Sequence, residues 1–136
     1  MVKKALAVKR DVLFKDKYFE GFSPIGEFDF SKVILSDFDY YERTDEFEYN
    51  YDFQQVITYV WIVNPKTKKV FIYRRAADEK YDESRLRDKY SGGVGGHVDD
   101  KSENPIVDAM HRELREEVKM ENYPDPNIIG YINDES

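Results

Sequence analysis

Residues 91–120 read SGGVGGHVDDKSENPIVDAMHRELREEVKM, and the reading of this stretch decides the rest. Four glycines, Gly92, Gly93, Gly95 and Gly96, fall between Ser91 and Val98. A backbone without Cβ atoms can bring its amides and carbonyls close to a ligand or to a neighbouring strand. Asn104-Pro105 then predicts a helix start, with Asn104 as N-cap and Pro105 at the first helical position. Ile106, Val107, Met110, Leu114 and Val118 recur at three- and four-residue spacing, which predicts an apolar stripe along a helix from Pro105 to about Lys119. Tyr123-Pro124-Asp125-Pro126 forbids its continuation.

On that helix, at about 100° per residue, Glu117 lies about 40° and Glu116 about 60° to either side of Glu113. Three carboxylates therefore crowd one arc at the edge of the buried stripe, and like charges so placed repel unless a cation is present. Hard divalent cations take oxygen ligands, and Mg²⁺ characteristically bridges carboxylates to substrate phosphates. The carbonyls of a glycine segment ending in Gly95-Gly96 are a further source of hard oxygen. Arg112 falls one turn below Glu116, within reach of an ion pair. The bland alternative is a Glu/Arg-rich surface helix after a glycine turn. The conjunction of glycines, capped helix and carboxylate triplet favours a metal-phosphate site.

Gly95-Gly96-His97-Val98-Asp99, then Glu103, then Arg112-Glu113-Leu114-Arg115-Glu116-Glu117 resembles the Nudix box, G-x5-E-x7-R-E-U-x-E-E-x-G-U with U aliphatic. The R-E-U-x-E-E core matches throughout, and Met120 fits the last aliphatic slot. The spacing departs by one residue on each side of Glu103, and Lys119 stands where the family has glycine. The resemblance implies an α/β fold, the Nudix α/β/α sandwich with a mixed sheet. It also implies Mg²⁺- or Mn²⁺-dependent hydrolysis of a pyrophosphate bond in a nucleoside diphosphate linked to another group. By the same resemblance Glu116 and Glu117 would be metal ligands, Glu113 a ligand or general base, and the Gly95 carbonyl a further ligand. Arg112 would orient the helix carboxylates, and Glu103 would be the motif's first glutamate. Gly96, Arg74 and Arg75 are the candidates for contact with substrate phosphate. A non-catalytic Nudix-fold module that senses a nucleotide or binds a protein is the alternative.

Working outward, Gln55–Val63 is a nearly continuous β-branched and aromatic run, which predicts a central strand covered on both faces, with Trp61 in the core. Asn64–Lys68 turns it back into a second strand, Lys69–Tyr73. Residues 74–90 are charged and unpatterned and read as a loop, and His97 is expected to fill a turn. Residues 5–14 predict a strand followed by a turn or short helix; 15–36, with Gly21, Pro24 and Gly26, read mostly as loop. The acidic aromatic stretch 37–53 could serve a partner or act as a lid, but a solvated element with aromatics packed beneath it is the preferred reading. Asn127–Ile132 predicts a further strand. One Nudix-like domain over 1–136 is expected, with 1–53 as N-terminal extension and loops and 54–136 as core, the box lying at 95–120.

Composition narrows the classes further. Lys+Arg 21 against Asp+Glu 28 gives a net charge of −7, the wrong sign for a broad surface on duplex nucleic acid. The absence of cysteine excludes disulfides and thiolate metal sites, and His97 and His111 are too few for a histidine-rich one. No stretch approaches the ~20 apolar residues of a membrane span, and no signal-peptide pattern opens the sequence. A cytoplasmic protein is expected. Only 19 residues follow Glu117, so the chain reads either as a fragment lacking the sandwich's last strands and closing helix or as a family member whose N-terminal half compensates. Apolar surface on the Gln55–Val63 side should then stay uncovered, and self-association as a symmetric homodimer is expected.

Overall fold

The computed structural model describes residues 3–74, 89–99 and 101–135. Its elements open with β1 (Lys4–Lys9), α1 (Arg10–Leu13), β2 (Gly21–Pro24), α2 (Phe30–Ser36), β3 (Phe38–Glu42) and α3 (Asp45–Glu48). The strands β4 (Phe53–Gln55), β5 (Ile57–Trp61), β6 (Val63–Asn64), β7 (Lys69–Val70), β8 (Tyr73–Arg74), β9 (Tyr90–Ser91) and β10 (Gly93–His97) follow. The chain continues through α4 (Pro105–Glu117) and β11 (Gly130–Asn133). No helix among the described residues is long and apolar enough to cross a membrane.

β1 is the organising strand. Ala5, Leu6, Ala7 and Val8 are all buried, so both of its faces are covered. It pairs antiparallel with β3 on one edge and β4 on the other. At Val56 the chain changes partner, because β4 pairs with β1 and β5 pairs with β10. Three backbone bonds close that junction: Val56 N to Leu6 O at 3.0 Å, Leu6 N to Val98 O at 2.7 Å, and Val98 N to Val56 O at 3.3 Å. The expected mixed sheet is corrected accordingly. Every ladder among the described residues is antiparallel, and β1 meets the end of β10 through a single bond at Leu6 rather than a parallel ladder.

The core gathers Leu6 and Val8 from β1, Leu13 from α1, Phe30 and Ile34 from α2, Val98, and Ile106 and Ala109 from α4. Residues 15–36 are therefore not mostly loop. Gly21, at φ +83°, turns the chain into β2, and Asp29 caps α2 by accepting from Lys32 N at 3.0 Å, which delivers Phe30 and Ile34 to the core. In the acidic stretch, Tyr41, Phe47 and Phe53 pack on one another at centroid distances of 4.8–5.3 Å, while Tyr49 and Tyr51 stay exposed.

The run 55–63 differs from its reading. Pleating places Thr58 and Val60 on one face and Ile57, Tyr59 and Trp61 on the other. Thr58 is buried, whereas Ile57, Tyr59, Trp61 and Val63 are each about half exposed, so one face is open and Trp61 is not core. β-branched composition reports the backbone's preference for extension but does not tell whether anything lies over the second face. The expected return strand forms through β6 and β7, with Lys68 at φ +58° in the turn. Within the stretch read as a loop, Arg74 pairs with Tyr90; residues 75–88 lie outside the described residues.

α4 stops at Glu117 rather than Lys119. Val118 is already extended, and its carbonyl accepts from the Tyr123 hydroxyl at 2.6 Å, which supplies the bond a further helical turn would have made. Asn104 occupies the N-cap position without a side-chain cap bond, although its carbonyl accepts from Asp108 N at 3.0 Å. The last strand, β11, is Gly130–Asn133 and pairs with β2. Buried Asn133 fixes it there, donating to Phe19 O at 2.8 Å and accepting from Gln54 Nε2 at 2.7 Å.

Candidate active site

α4 lies across β10 and β5. Ile106, Ala109, Met110 and Leu114 are buried, so the apolar stripe sets the helix's rotation and thereby what its charged edge can reach. On the strand side, Gly95 pairs with Tyr59 and Gly96 with Thr58. A Cβ would meet backbone at Gly95 and the Glu113 carboxylate at Gly96. One at Gly95 would clash with the Thr58 carbonyl, and one at Gly96 would sit 2.9 Å from Glu113 Oε1. Gly96 lets the helix carboxylate come down onto the strand, and Gly95 lets the two strands pair closely.

Glu113 is the inner member of the site, with its side chain 12% exposed. Burial pushes its carboxyl above the usual range; Arg112 pulls it back only in part, and Glu116 and Glu117 add to the rise. Glu116 and Glu117, three and four residues on, share that edge of the helix but are exposed. Among the described residues no three acidic or histidine side chains stand close enough together to hold one ion.

Arg112 links the strand to the helix. Its Nη1 stands 2.7 Å from Asp99 Oδ1, Nη2 donates to the His97 carbonyl at 3.3 Å and to Glu113 Oε1 at 3.2 Å, and Nε lies 3.9 Å from Glu116 Oε1. The sequence pointed to Arg112 as a partner for Glu116. It gave no role to Asp99, whose only signal was an acidic residue just past the glycine strand. Glu103 is exposed and makes no ion pair among the described residues. His97 is not in a turn: it ends β10 opposite Ile57, and it is its carbonyl that meets Arg112. Arg74 stands on the β8–β9 rung with Tyr90, a different rung from those beneath α4, and Arg75 lies outside the described residues. A shallow groove on the outer flank of α4 is lined by Asp108, His111, Arg112, Arg115 and Glu116.

No family model matches the chain, and no curated protein sequence matches it either. A solved structure does: the crystal structure of Tm1382, described as "a putative Nudix hydrolase". The TM-score is 0.75 at 29% identity, over 98% of this chain and 68% of that one. The α/β architecture with antiparallel ladders is thus similar to that structure.

Proposed function

We propose that the chain is a Nudix-type hydrolase that cleaves a pyrophosphate bond in a nucleoside diphosphate linked to another group, with Mg²⁺ or Mn²⁺ as cofactor. The observation that carries this reading is Glu113, a carboxylate kept mostly from water and set against glycine backbone beside an arginine. The likeness to Tm1382 over nearly the whole chain supports it, as does the box itself. The complete α/β/α layering of that fold is part of the proposal.

In donor type the carboxylates suit a hard divalent ion, although no three of them close on one point in this structure. Glu113, Glu116, Glu117 and the Gly95 carbonyl offer oxygen alone, and desolvation of Glu113 is the kind of cost that a bound cation offsets. When bound, the ion would neutralise diphosphate charge and acidify a water molecule. Glu113 would serve as ligand or as general base, and its raised pKa makes it a stronger base than an ordinary carboxylate. Arg112 holds Glu113 and reaches Glu116, so the carboxylates do not drift apart under their own repulsion. Gly96 would offer its backbone to a substrate phosphate beside the helix, and Arg74 would contact substrate from the β8–β9 rung.

Metal binding is the first test. Mn²⁺ or Mg²⁺ well above Kd should raise the melting temperature by several degrees through preferential binding to the folded state. A variant with Gln at 113, 116 and 117 should show no rise. A wild-type protein indifferent to millimolar metal would contradict the proposal, and metal-independent nucleotide binding would favour a sensing module instead.

A further inference from the structure

Two buried hydroxyls, Ser23 Oγ and Thr58 Oγ1, have no hydrogen-bond partner among the described residues. Ser23 lies on β2, which pairs with β11 and takes no part in the β5–β10 ladder. Thr58 lies on that ladder and on its covered face, among Val60, Val94 and Gly96, where it carries the one polar side chain. At 5% exposure its hydroxyl is cut off from bulk water. A valine would fill the same space without a polar group to satisfy. The hydroxyl is therefore a cost to packing unless something close by takes its proton.

The ladder sets what is close by. Thr58 is the register partner of Gly96, and directly opposed residues put their side chains on the same face, about 5 Å apart. Gly96 has no side chain, and the Glu113 carboxylate takes that place. Its Oε1 lies 2.9 Å and its Oε2 3.5 Å from where a Gly96 Cβ would stand. Arg112 donates to Oε1, whereas Oε2 has no hydrogen bond among the described residues. A donor and an acceptor thus face the same side of one rung without bonding directly, a separation that one bridging water spans with little loss of strength. We infer that Thr58 is a positioning residue of the proposed site: its hydroxyl donates to a bridging water that donates in turn to Glu113 Oε2. The carboxylate is then held at both oxygens, by Arg112 on one and from the strand on the other. Because Thr58 rides on β5, this anchor fixes Glu113 to the ladder independently of the helix that carries it.

This inference rests on the proposed hydrolase reading, and the test separates the two. A crystal structure of the metal-free wild type, at a resolution that shows waters, should place one water within about 3.2 Å of both Thr58 Oγ1 and Glu113 Oε2. With Mg²⁺ and a nucleoside diphosphate derivative that the wild type cleaves, Thr58→Val should lower kcat about tenfold with KM within a factor of two, since a misplaced carboxylate is felt in the transition state. Thr58→Ser should recover most of that kcat even though it melts below Thr58→Val, having lost a buried methyl group. A purely structural threonine would make activity follow stability instead. Ser23→Ala, which removes the other unpartnered hydroxyl, should leave kcat and KM at wild-type values. In the crystal, a Thr58 hydroxyl without a partner, or bonded to anything but this water or the Glu113 carboxylate, would overturn the proposal. So would a kcat of Thr58→Val no lower than that of Ser23→Ala, or a Thr58→Ser no faster than Thr58→Val. If the wild type cleaves nothing, the functional reading fails, and the crystal structure alone decides the tie between Thr58 and Glu113.

Discussion

The two faces of the β5–β10 ladder are made of similar residues and have opposite fates. On one, Thr58, Val94 and Gly96 lie beneath α4, and Thr58 and Val94 are 5% and 2% exposed. On the other, Ile57, Tyr59 and Trp61 are 56%, 46% and 50% exposed. The difference lies in what sits opposite. α4 brings a stripe of Ile106, Ala109, Met110 and Leu114, and Gly96 lets it close down until the Glu113 carboxylate touches the strand. The open face has larger side chains, with Trp61 laid over Gly92 and Tyr59 over Gly93, but no helix among the described residues packs on it. Apolar residues on a strand mark a surface able to be buried; only a matching element makes it a site.

The largest expected effect falls on the α4 face. Glu116→Gln should lower turnover by roughly two to three orders of magnitude, as loss of a charged oxygen at a metal-phosphate site does. Its melting temperature should hardly move, because the side chain is 60% exposed. An equal loss of activity in Glu121→Gln, beyond the helix, would show the effect to be nonspecific.

Packing comes next. Leu114→Ala, at a residue 3% exposed, should cost about 2–5 kcal/mol in denaturant unfolding. A cost under about 1 kcal/mol would mean that α4 is not seated on the ladder, and the contrast between the faces would collapse.

Titration of Glu113 sharpens the contrast further. A carboxyl whose folded pKa is raised binds protons more readily in the native state, so its contribution to stability is greatest below the unfolded pKa and is lost as pH rises through the folded one. Without metal, Glu113→Gln should therefore melt above wild type at neutral pH, with the gap closing as pH falls through the carboxylate range. With Mg²⁺ present the order should reverse, because the wild type alone keeps the full ligand set. A gap independent of pH would place Glu113 in water rather than against Gly96.

The smallest effect belongs to the open face. Ile57→Thr keeps a β-branched side chain on a half-exposed position and should cost less than about 1 kcal/mol. A larger, concentration-dependent loss seen by sedimentation and thermal melting would show that a second copy covers this face in solution.

The same contrast governs how much the sequence revealed. α4 was legible because Asn104-Pro105 and the 106–118 stripe are local signals, each set by neighbours in the chain. The hairpin around Asn64–Lys68 was legible for the same reason. β2 and α2 were not: short elements rich in turn residues form because Phe30 and Ile34 find partners on distant β1 and α4. The partner change at Val56 left no trace in a run that reads as one strand, since it depends on Leu6 and Val98. Within the site, the glycines and helix carboxylates could be read from spacing. Asp99 could not, because its meaning is a distance to Arg112 across a loop.

Metal-dependent pyrophosphate hydrolysis on the covered face of this ladder is the proposed activity. ³¹P NMR of a panel of nucleoside diphosphate derivatives, incubated with the protein in Mg²⁺ or Mn²⁺ and again with excess chelator, tests it most directly. At least one compound should be split at its pyrophosphate bond with metal, and chelation should stop the reaction. Intact substrates throughout the panel with metal present, or cleavage that continues undiminished in chelator, would contradict it.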